Sequence, residues 1–167
     1  MARAALACSL LALLGGCGFH LEGRSPLPEM VKTPYLEAPD RQSEFVASLR
    51  HQLLTNGAQL VPDKGHASAV ISVLSDQMTR RVVSVSAANQ PNQYEVTYTV
   101  RIAVTAGDKE LLPAQEISAT RTYSFSEPLL LAKGHEEDVL REDMARDLAD
   151  RVMRLLSRLP QQPPAAT

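Results

Sequence analysis

The sequence predicts an α+β protein, a two-layer sandwich in which two helices pack on one face of a mostly antiparallel four-stranded sheet. The predicted order is strand, helix, three strands, helix. Three observations predict it: an amphipathic run that ends at Asn56-Gly57, a long stretch of apolar–polar alternation with period two, and a strongly amphipathic segment near the C-terminus. Elements with one apolar face each are most simply buried in two layers.

The first strand and the first helix are predicted from residues 31–55. Pro34 and Pro39 flank Tyr35-Leu36, so a strand there is short and lies at a sheet edge, because proline cannot donate to a strand ladder. Asp40 is the expected helix N-cap. A helix over roughly 41–55 follows from apolar residues at helical spacing, namely Phe45, Val46, Leu49, Leu53 and Leu54.

The next three strands are predicted to form an antiparallel meander, because the loops between them are short. Residues 94–106 alternate clearly, with Tyr94 to Ala106 at even positions on the apolar face. Residues 69–87 alternate imperfectly, which predicts a bend or bulge. The last strand follows an irregular entry at Pro113 and places Ile117, Ala119, Tyr123 and Phe125 on one face. Arg121 breaks that pattern, so its side chain must either reach out past the sheet edge or pair with another residue.

The polar face of the meander is rich in short hydroxyl side chains and carries unusually few charges for a solvent-facing surface. Its members are Thr97, Thr99, Thr105, Ser118, Thr120, Thr122, Ser124 and Ser126. A polar, water-filled lumen would favour such a face. The strand preference of threonine is an alternative explanation.

The second helix is predicted over roughly 136–159. Its apolar stripe consists of Leu140, Met144, Leu148, Val152, Leu155, Leu156 and Leu159. An acidic start at 136–138 and basic residues toward the end suit the helix dipole. Four i,i+4 ion pairs are expected: Glu137–Arg141, Glu142–Arg146, Asp147–Arg151 and Asp150–Arg154. Residues 161–167 are expected to form a disordered Pro/Ala tail.

The N-terminus indicates a bacterial lipoprotein precursor. A basic start is followed by an uncharged apolar run, 4–14, too short to span a hydrocarbon core. Leu14-Gly-Gly-Cys17 resembles the lipobox, in which the cysteine is acylated before cleavage. We therefore expect residues 1–16 to be removed and Cys17 to carry N-palmitoyl and S-diacylglycerol lipid. One domain, 17–160, would follow. The alternative is an ordinary signal peptide followed by cysteine by chance.

Catalytic and metal-binding motifs are absent from the sequence. The four histidines lack zinc-helix spacing, and no Gly-x-Ser-x-Gly or phosphate loop occurs. Residues 135–138, His-Glu-Glu-Asp, are read as a solvated helix start rather than a metal site. A formal net charge of −2 is not that of a nucleic-acid-binding protein. We therefore expect no enzyme, no metal, no further cofactor and no nucleic-acid partner.

Arg80, Arg81 and Lys133 are the remaining candidates for a binding site. Adjacent strand residues point to opposite faces, so at most one of the two arginines joins a given patch. Lys133 is expected in an apolar loop, 128–134, that leads into the last helix. For all three residues, a solvated surface cation is the alternative interpretation.

Several segments resemble the LptE (RlpB) family of lipopolysaccharide-assembly lipoproteins. They are Cys17-Gly-Phe-His-Leu21, Leu54-Thr-Asn-Gly-Ala-Gln-Leu60, Gln93-Tyr-Glu-Val96 and Phe125-Ser-Glu-Pro-Leu-Leu-Leu-Ala-Lys133. The resemblance implies a plug inside the LptD outer-membrane barrel that helps lipopolysaccharide reach the cell surface. It also implies lipopolysaccharide binding through basic residues.

The resemblance assigns one family basic position to Lys133. The family's other basic position corresponds to Ala87 or Ala88 in this sequence, which carry no charge. Arg80 or Arg81 is expected to supply the missing basic side chain. Together with Gly18 after the anchor, the resemblance implies the outer membrane, with the lipid on its periplasmic side. A carrier of lipid or lipoprotein and a scaffold lipoprotein of another outer-membrane machine are the two alternative functions.

Overall fold

The computed structural model describes residues 27–124 and 130–160, and in the second range side chains are described from residue 137 onward. The elements are β1 (Pro34–Glu37), α1 (Glu44–Thr55), β2 (Ala69–Val85), β3 (Pro91–Ala106), β4 (Lys109–Ser124) and α2 (Leu130–Ser157). Short 3-10 turns lie at Glu29–Val31 and Lys64–His66. The predicted order is therefore confirmed. The predicted signal peptide, Cys17, Ser126 and the tail 161–167 lie outside the described residues.

The four strands form one sheet in the order β1-β2-β3-β4. β1 pairs in parallel with the start of β2, with Tyr35 opposite Val70, whereas the other two pairings are antiparallel. The edge position predicted for β1 is confirmed. The irregularity predicted in β2 is confirmed as well, because its register with β3 shifts between Val73 and Ser75 and again after Val82.

β4 begins earlier than the sequence predicted. It starts at Lys109, directly after the Gly107-Asp108 turn, where Gly107 has a φ of 56°. Pro113 lies within the strand instead of marking its entry. The sheet accommodates this proline where the register between β3 and β4 shifts, since Ile102 faces Gln115 while Val104 faces Leu112. A bulge at a sheet edge tolerates a residue that cannot donate to the ladder.

The start of α1 corrects a second prediction. Ser43, not Asp40, is the N-cap, and its hydroxyl accepts a hydrogen bond from the Val46 amide at 3.2 Å. Asp40 instead accepts from the Gln42 amide at 2.8 Å, which closes the turn before the helix. Both residue types cap helices and turns with equal ease, so the sequence alone does not decide between them.

The start of α2 is a third correction. The helix begins at Leu130 rather than near 136, so Lys133 belongs to its first turns and not to a loop. Leucine, alanine and lysine all favour helix, and a single glycine at 134 costs only about 1 kcal/mol. The acidic residues at 136–138 therefore follow the first turn, which has no acidic residue.

Two of the four expected i,i+4 pairs form in α2. Glu142–Arg146 is 4.0 Å and Asp147–Arg151 is 3.0 Å. The other two predictions are wrong, because tertiary partners compete for the carboxylates. Glu137 pairs with Arg80 of β2, and Asp150 accepts a hydrogen bond from Gln52 of α1.

A single aliphatic core lies between the sheet and the two helices. β3 contributes alternate residues from Val96 to Val104, all fully or nearly fully buried. The predicted α2 stripe is buried at Met144, Leu148, Val152, Leu156 and Leu159, and Ala145, Ala149 and Met153 widen it. Arg121 points toward the helices and pairs with Asp147 at 3.2 Å, which confirms that it pairs. The hydrogen bond with Arg151 and the charge of Arg121 keep the pKa of Asp147 below its usual value.

Replacing Leu148 with alanine is expected to lower the free energy of unfolding by about 2–5 kcal/mol, because its side chain is fully buried and a cavity would remain. Val139→Ala on the same helix is the matched control. Its side chain is 43% exposed, and the change should stay within about 0.5 kcal/mol. Urea denaturation followed by circular dichroism measures both. A loss below about 1 kcal/mol for Leu148→Ala would contradict this description of the core.

Candidate functional site

The two candidate arginines of β2 lie on opposite faces of the sheet. Arg80 pairs in register with Val96, whose side chain is fully buried under the helices. Arg81 pairs in register with Glu95 on the face away from the helices. The period of two along a strand imposes this separation. Only Arg80 therefore lies on the same side of the sheet as α2.

Arg80 is held by three side chains from three different elements. Its Nη1 lies 3.1 Å from Oε2 of Glu137 in α2, and its guanidinium lies 4.9 Å from the ring centroid of Tyr94 in β3. Tyr94 and Tyr123 are direct cross-strand neighbours, and their rings stack with centroids 5.6 Å apart. We call Arg80, Tyr94, Tyr123 and Glu137 the Arg80 cluster.

The Arg80 cluster holds a cation in place without burying it. A hydrogen bond with the Tyr123 hydroxyl and the charge of Glu137 raise the pKa of the Arg80 guanidinium, which is therefore charged at every physiological pH. The Arg80 side chain nevertheless remains 50% exposed. A planar guanidinium that is oriented but accessible is suited to bidentate contact with a phosphate or carboxylate.

Lys133 lies next to this cluster along the helix. It precedes Glu137 by four residues in α2, about 6 Å or one turn along the helix axis. Its backbone is thus brought near the residue that binds Arg80, which no sequence pattern predicted. The side chains of Lys133 and of Leu130 and Leu131, and all of Leu129, lie outside what the structure describes.

Arg81 makes a separate contact on the other face. Its Nε lies 2.6 Å from Oε1 of Glu95, and this hydrogen bond raises the pKa of the Arg81 guanidinium. The Arg81 side chain is 73% exposed. Because the sheet lies between the two guanidinium groups, Arg81 does not extend the Arg80 cluster.

Exposed valines lie between the Arg80 cluster and the tip of the β2–β3 hairpin. Val82, Val83 and Val85 are 47%, 42% and 56% exposed. The tip is closed by the Ser86 and Gln90 backbones, with Asn89 at a φ of 59°. Ala87, where the resemblance expected a basic residue, is exposed at this tip, about 20 Å along the strand from Arg80. No sequence pattern predicted these exposed valines.

The outer face of the sheet carries two adjacent uncharged rows across β2, β3 and β4. One row is Gln77, Thr99 and Ser118, and the other is Thr79, Thr97 and Thr120. The hydroxyls of Thr97 and Thr120 lie 3.2 Å apart, within hydrogen-bond distance. Charged residues, including Arg81 with Glu95 and Arg101 opposite Glu116, lie in the rows on either side. We call the two uncharged rows the hydroxyl face.

Within residues 27–124 and 137–160, no three histidine, cysteine or acidic side chains are grouped so that they could hold a metal ion. In the part of the chain that the structure describes, no helix is long and apolar enough to cross a membrane. Tyr94, Tyr123 and Glu137 were not predicted as partners of Arg80. The one signal in the sequence was that both tyrosines occupy the apolar face of neighbouring strands.

The family model and similar curated relatives both identify the same family. The family model for LptE, described as lipopolysaccharide-assembly, matches residues 31–156. The LPS-assembly lipoprotein LptE of Pectobacterium atrosepticum is 29% identical over 146 residues, which cover 86% of this chain and 78% of the relative.

Solved structures agree with the sequence comparison. A lipoprotein B from Nitrosomonas europaea, solved by NMR, superimposes with a TM-score of 0.69 at 28% identity and covers 84% of this chain and 90% of its own. The crystal structure of rare lipoprotein B from Shewanella oneidensis gives a TM-score of 0.66 at 25% identity, covering 75% and 93%. The matched residues include every strand, α1 and nearly all of α2. The chain therefore belongs to the LptE family of lipopolysaccharide-assembly proteins.

Proposed function

We propose that this protein is an outer-membrane lipoprotein that assembles with the LptD barrel, plugs it, and helps lipopolysaccharide enter the outer leaflet. The observation that carries the proposal is the family match over residues 31–156. In this proposal Cys17 holds the N-palmitoyl and S-diacylglycerol anchor on the periplasmic side of the membrane. The role is one of assembly and binding rather than catalysis.

The hydroxyl face supports the plug. A surface that packs against the inside of a polar barrel must satisfy hydrogen bonds without burying unpaired charge, since burying an ionised group costs several kcal/mol. Short hydroxyls of Thr97, Thr99 and Thr120 meet that requirement, and their neighbours Arg81 and Glu95 neutralise each other. The opposite face of the sheet contributes the apolar core beneath the helices.

The Arg80 cluster supports direct binding of lipopolysaccharide. Lipid A carries phosphates and several acyl chains, so its site needs cations beside an apolar surface. We assign the cations to Arg80 of β2 and Lys133 of α2. The exposed Val82 and Val85 lie farther along β2 and offer surface for acyl chains. Arg80 must share or leave its contact with Glu137 in order to bind a phosphate.

Purification of the epitope-tagged, lipid-anchored chain from native membranes tests the plug. We expect it to bring down one large β-barrel protein, identified by mass spectrometry as LptD, in a stoichiometric complex. A lipid or lipoprotein carrier would bring down soluble cargo instead, and a scaffold of another machine would bring down a different set of partners. Either of these results, with LptD absent, would contradict the proposal.

Lipopolysaccharide binding by the purified chain tests the second half of the proposal. Exposed charge pairs contribute about 0–1 kcal/mol, so Arg80→Ala and Lys133→Ala should each weaken binding by up to about fivefold. Lys133→Glu should weaken it further, because it places a negative charge near the phosphates. Glu137→Gln should tighten binding, since Arg80 loses its competing carboxylate. All affinities should fall as salt rises.

Arg81→Ala is the matched control for these variants. It removes the same guanidinium from the adjacent residue on the other face, so the affinity should be unchanged. Circular dichroism confirms that each variant is folded. Equal binding by the wild type, Arg80→Ala and Lys133→Glu at low salt would exclude this site.

A further inference from the structure

A cleft of about 330 Å³ lies beside β1, at the opposite end of β2 from the Arg80 cluster. It forms because the chain after α1 returns along the free edge of β1. The Gln59 amide donates to the Lys32 carbonyl at 2.7 Å, and the Val61 amide donates to the Pro34 carbonyl at 3.1 Å. The wall of the cleft combines apolar surface from Leu60 and Val61 with the ring of Tyr35.

Two arginines line this cleft, and no acidic residue does. Arg41 comes from the turn before α1, and Arg50 comes from the middle of the helix. Neither has a carboxylate within salt-bridge distance in residues 27–124 or 137–160, as is also true of the described Arg101, Arg141, Arg154 and Arg158. What distinguishes Arg41 and Arg50 is that two cations share one cleft that no carboxylate lines, although the chain as a whole has a net charge of −2.

The cation at Arg41 is oriented by an aromatic side chain. Its Nη2 donates to the Tyr35 hydroxyl at 2.7 Å, and its guanidinium lies 5.8 Å from the ring centroid. The nearest acid on β1, Glu37, is already engaged by Lys64 at 2.6 Å and by the Ser72 hydroxyl at 3.1 Å. The hydrogen bond with Lys64 lowers the pKa of Glu37, so this carboxylate stays ionised and occupied.

We propose that the cleft is a binding site for a phosphate ester, with Arg41 and Arg50 contacting the phosphate. Guanidinium groups match the geometry of phosphate oxygens, and two of them close together are stabilised by a shared anion. The volume is at the lower end of the range for small-molecule sites. It suits a phosphate joined to one small group, such as glycerol, packed against Tyr35 and Leu60. We call this the Arg41–Arg50 site.

The Arg41–Arg50 site is separate from the surface proposed for lipopolysaccharide. Tyr35 pairs in register with Val70, and Arg80 lies ten residues farther along β2, a distance of about 30 Å. Substitutions at one site should therefore leave the other intact. This proposal does not depend on the proposed function, and either can fail alone.

Titration of the isotope-labelled full chain in detergent tests the proposal by NMR. The probes are glycerol phosphate, inorganic phosphate and dihexanoyl-phosphatidylglycerol, a short-chain phospholipid. We expect the amide signals of Tyr35 and Val61 to shift at millimolar concentrations of a phosphate ester, and the shifts to weaken with salt. Tighter binding of the phospholipid than of glycerol phosphate would assign the site to a lipid headgroup. Equal binding would assign it to a soluble phosphate ester.

Arg41→Gln combined with Arg50→Gln should weaken this binding by about fivefold or more. Arg154→Gln is the matched control, since Arg154 is exposed on α2 and lines neither site; it should bind as the wild type does, as should Arg80→Ala. The same spectra report whether each variant is folded. Absence of shifts at Tyr35 and Val61 in the wild type, with all three probes, would overturn the proposal. An equal loss in Arg154→Gln would also overturn it.

Discussion

Burial of one aliphatic layer between the sheet and α2 fixes the positions of the other features. Alternate residues of β3 from Val96 to Val104 are buried beneath the helices, so the residues between them, among them Thr97 and Thr99, face away. The hydroxyl face is thus a consequence of the core. The same constraint separates Arg80 from Arg81 and turns Arg80 toward α2, where Glu137 and Tyr94 hold it. Farther along β2, Val82, Val83 and Val85 are exposed.

The fold was predictable wherever one short-range pattern decided the outcome. Period-two alternation located the long strands, and proline flanks placed β1 at an edge. Predictions failed where two local options have similar energy. Asp40 and Ser43 are equally good helix N-cap residues. Ser43 is the N-cap because the Asp40 carboxylate already accepts a hydrogen bond in the turn before the helix. The start of α2 was missed because proline and glycine nearby suggested a loop, while the residues between them favour helix.

The candidate sites were only partly predictable, because they depend on register and on contacts between distant segments. Arg80 was predictable from the sequence only as one of two adjacent candidates. Its contacts with Glu137 and Tyr94 depend on the β2–β3 register and on the packing of α2. Residue spacing along the sequence predicts neither of these. The Arg41–Arg50 site was missed altogether, since it arises only when the chain after α1 returns beside β1.

The central claim is that the hydroxyl face, and not the helical layer, contacts the barrel in the cell. Site-specific photo-crosslinking in living cells tests it most directly, with the photoreactive residue at Thr99 in that face or at Thr122 beside it. Ala47 on α1 and Asp143 on α2 are exposed control positions on the helical layer. Our account predicts crosslinks to the barrel protein from Thr99 and Thr122. Crosslinks from Ala47 and Asp143 alone would show that the helices face the barrel wall and would contradict the claim.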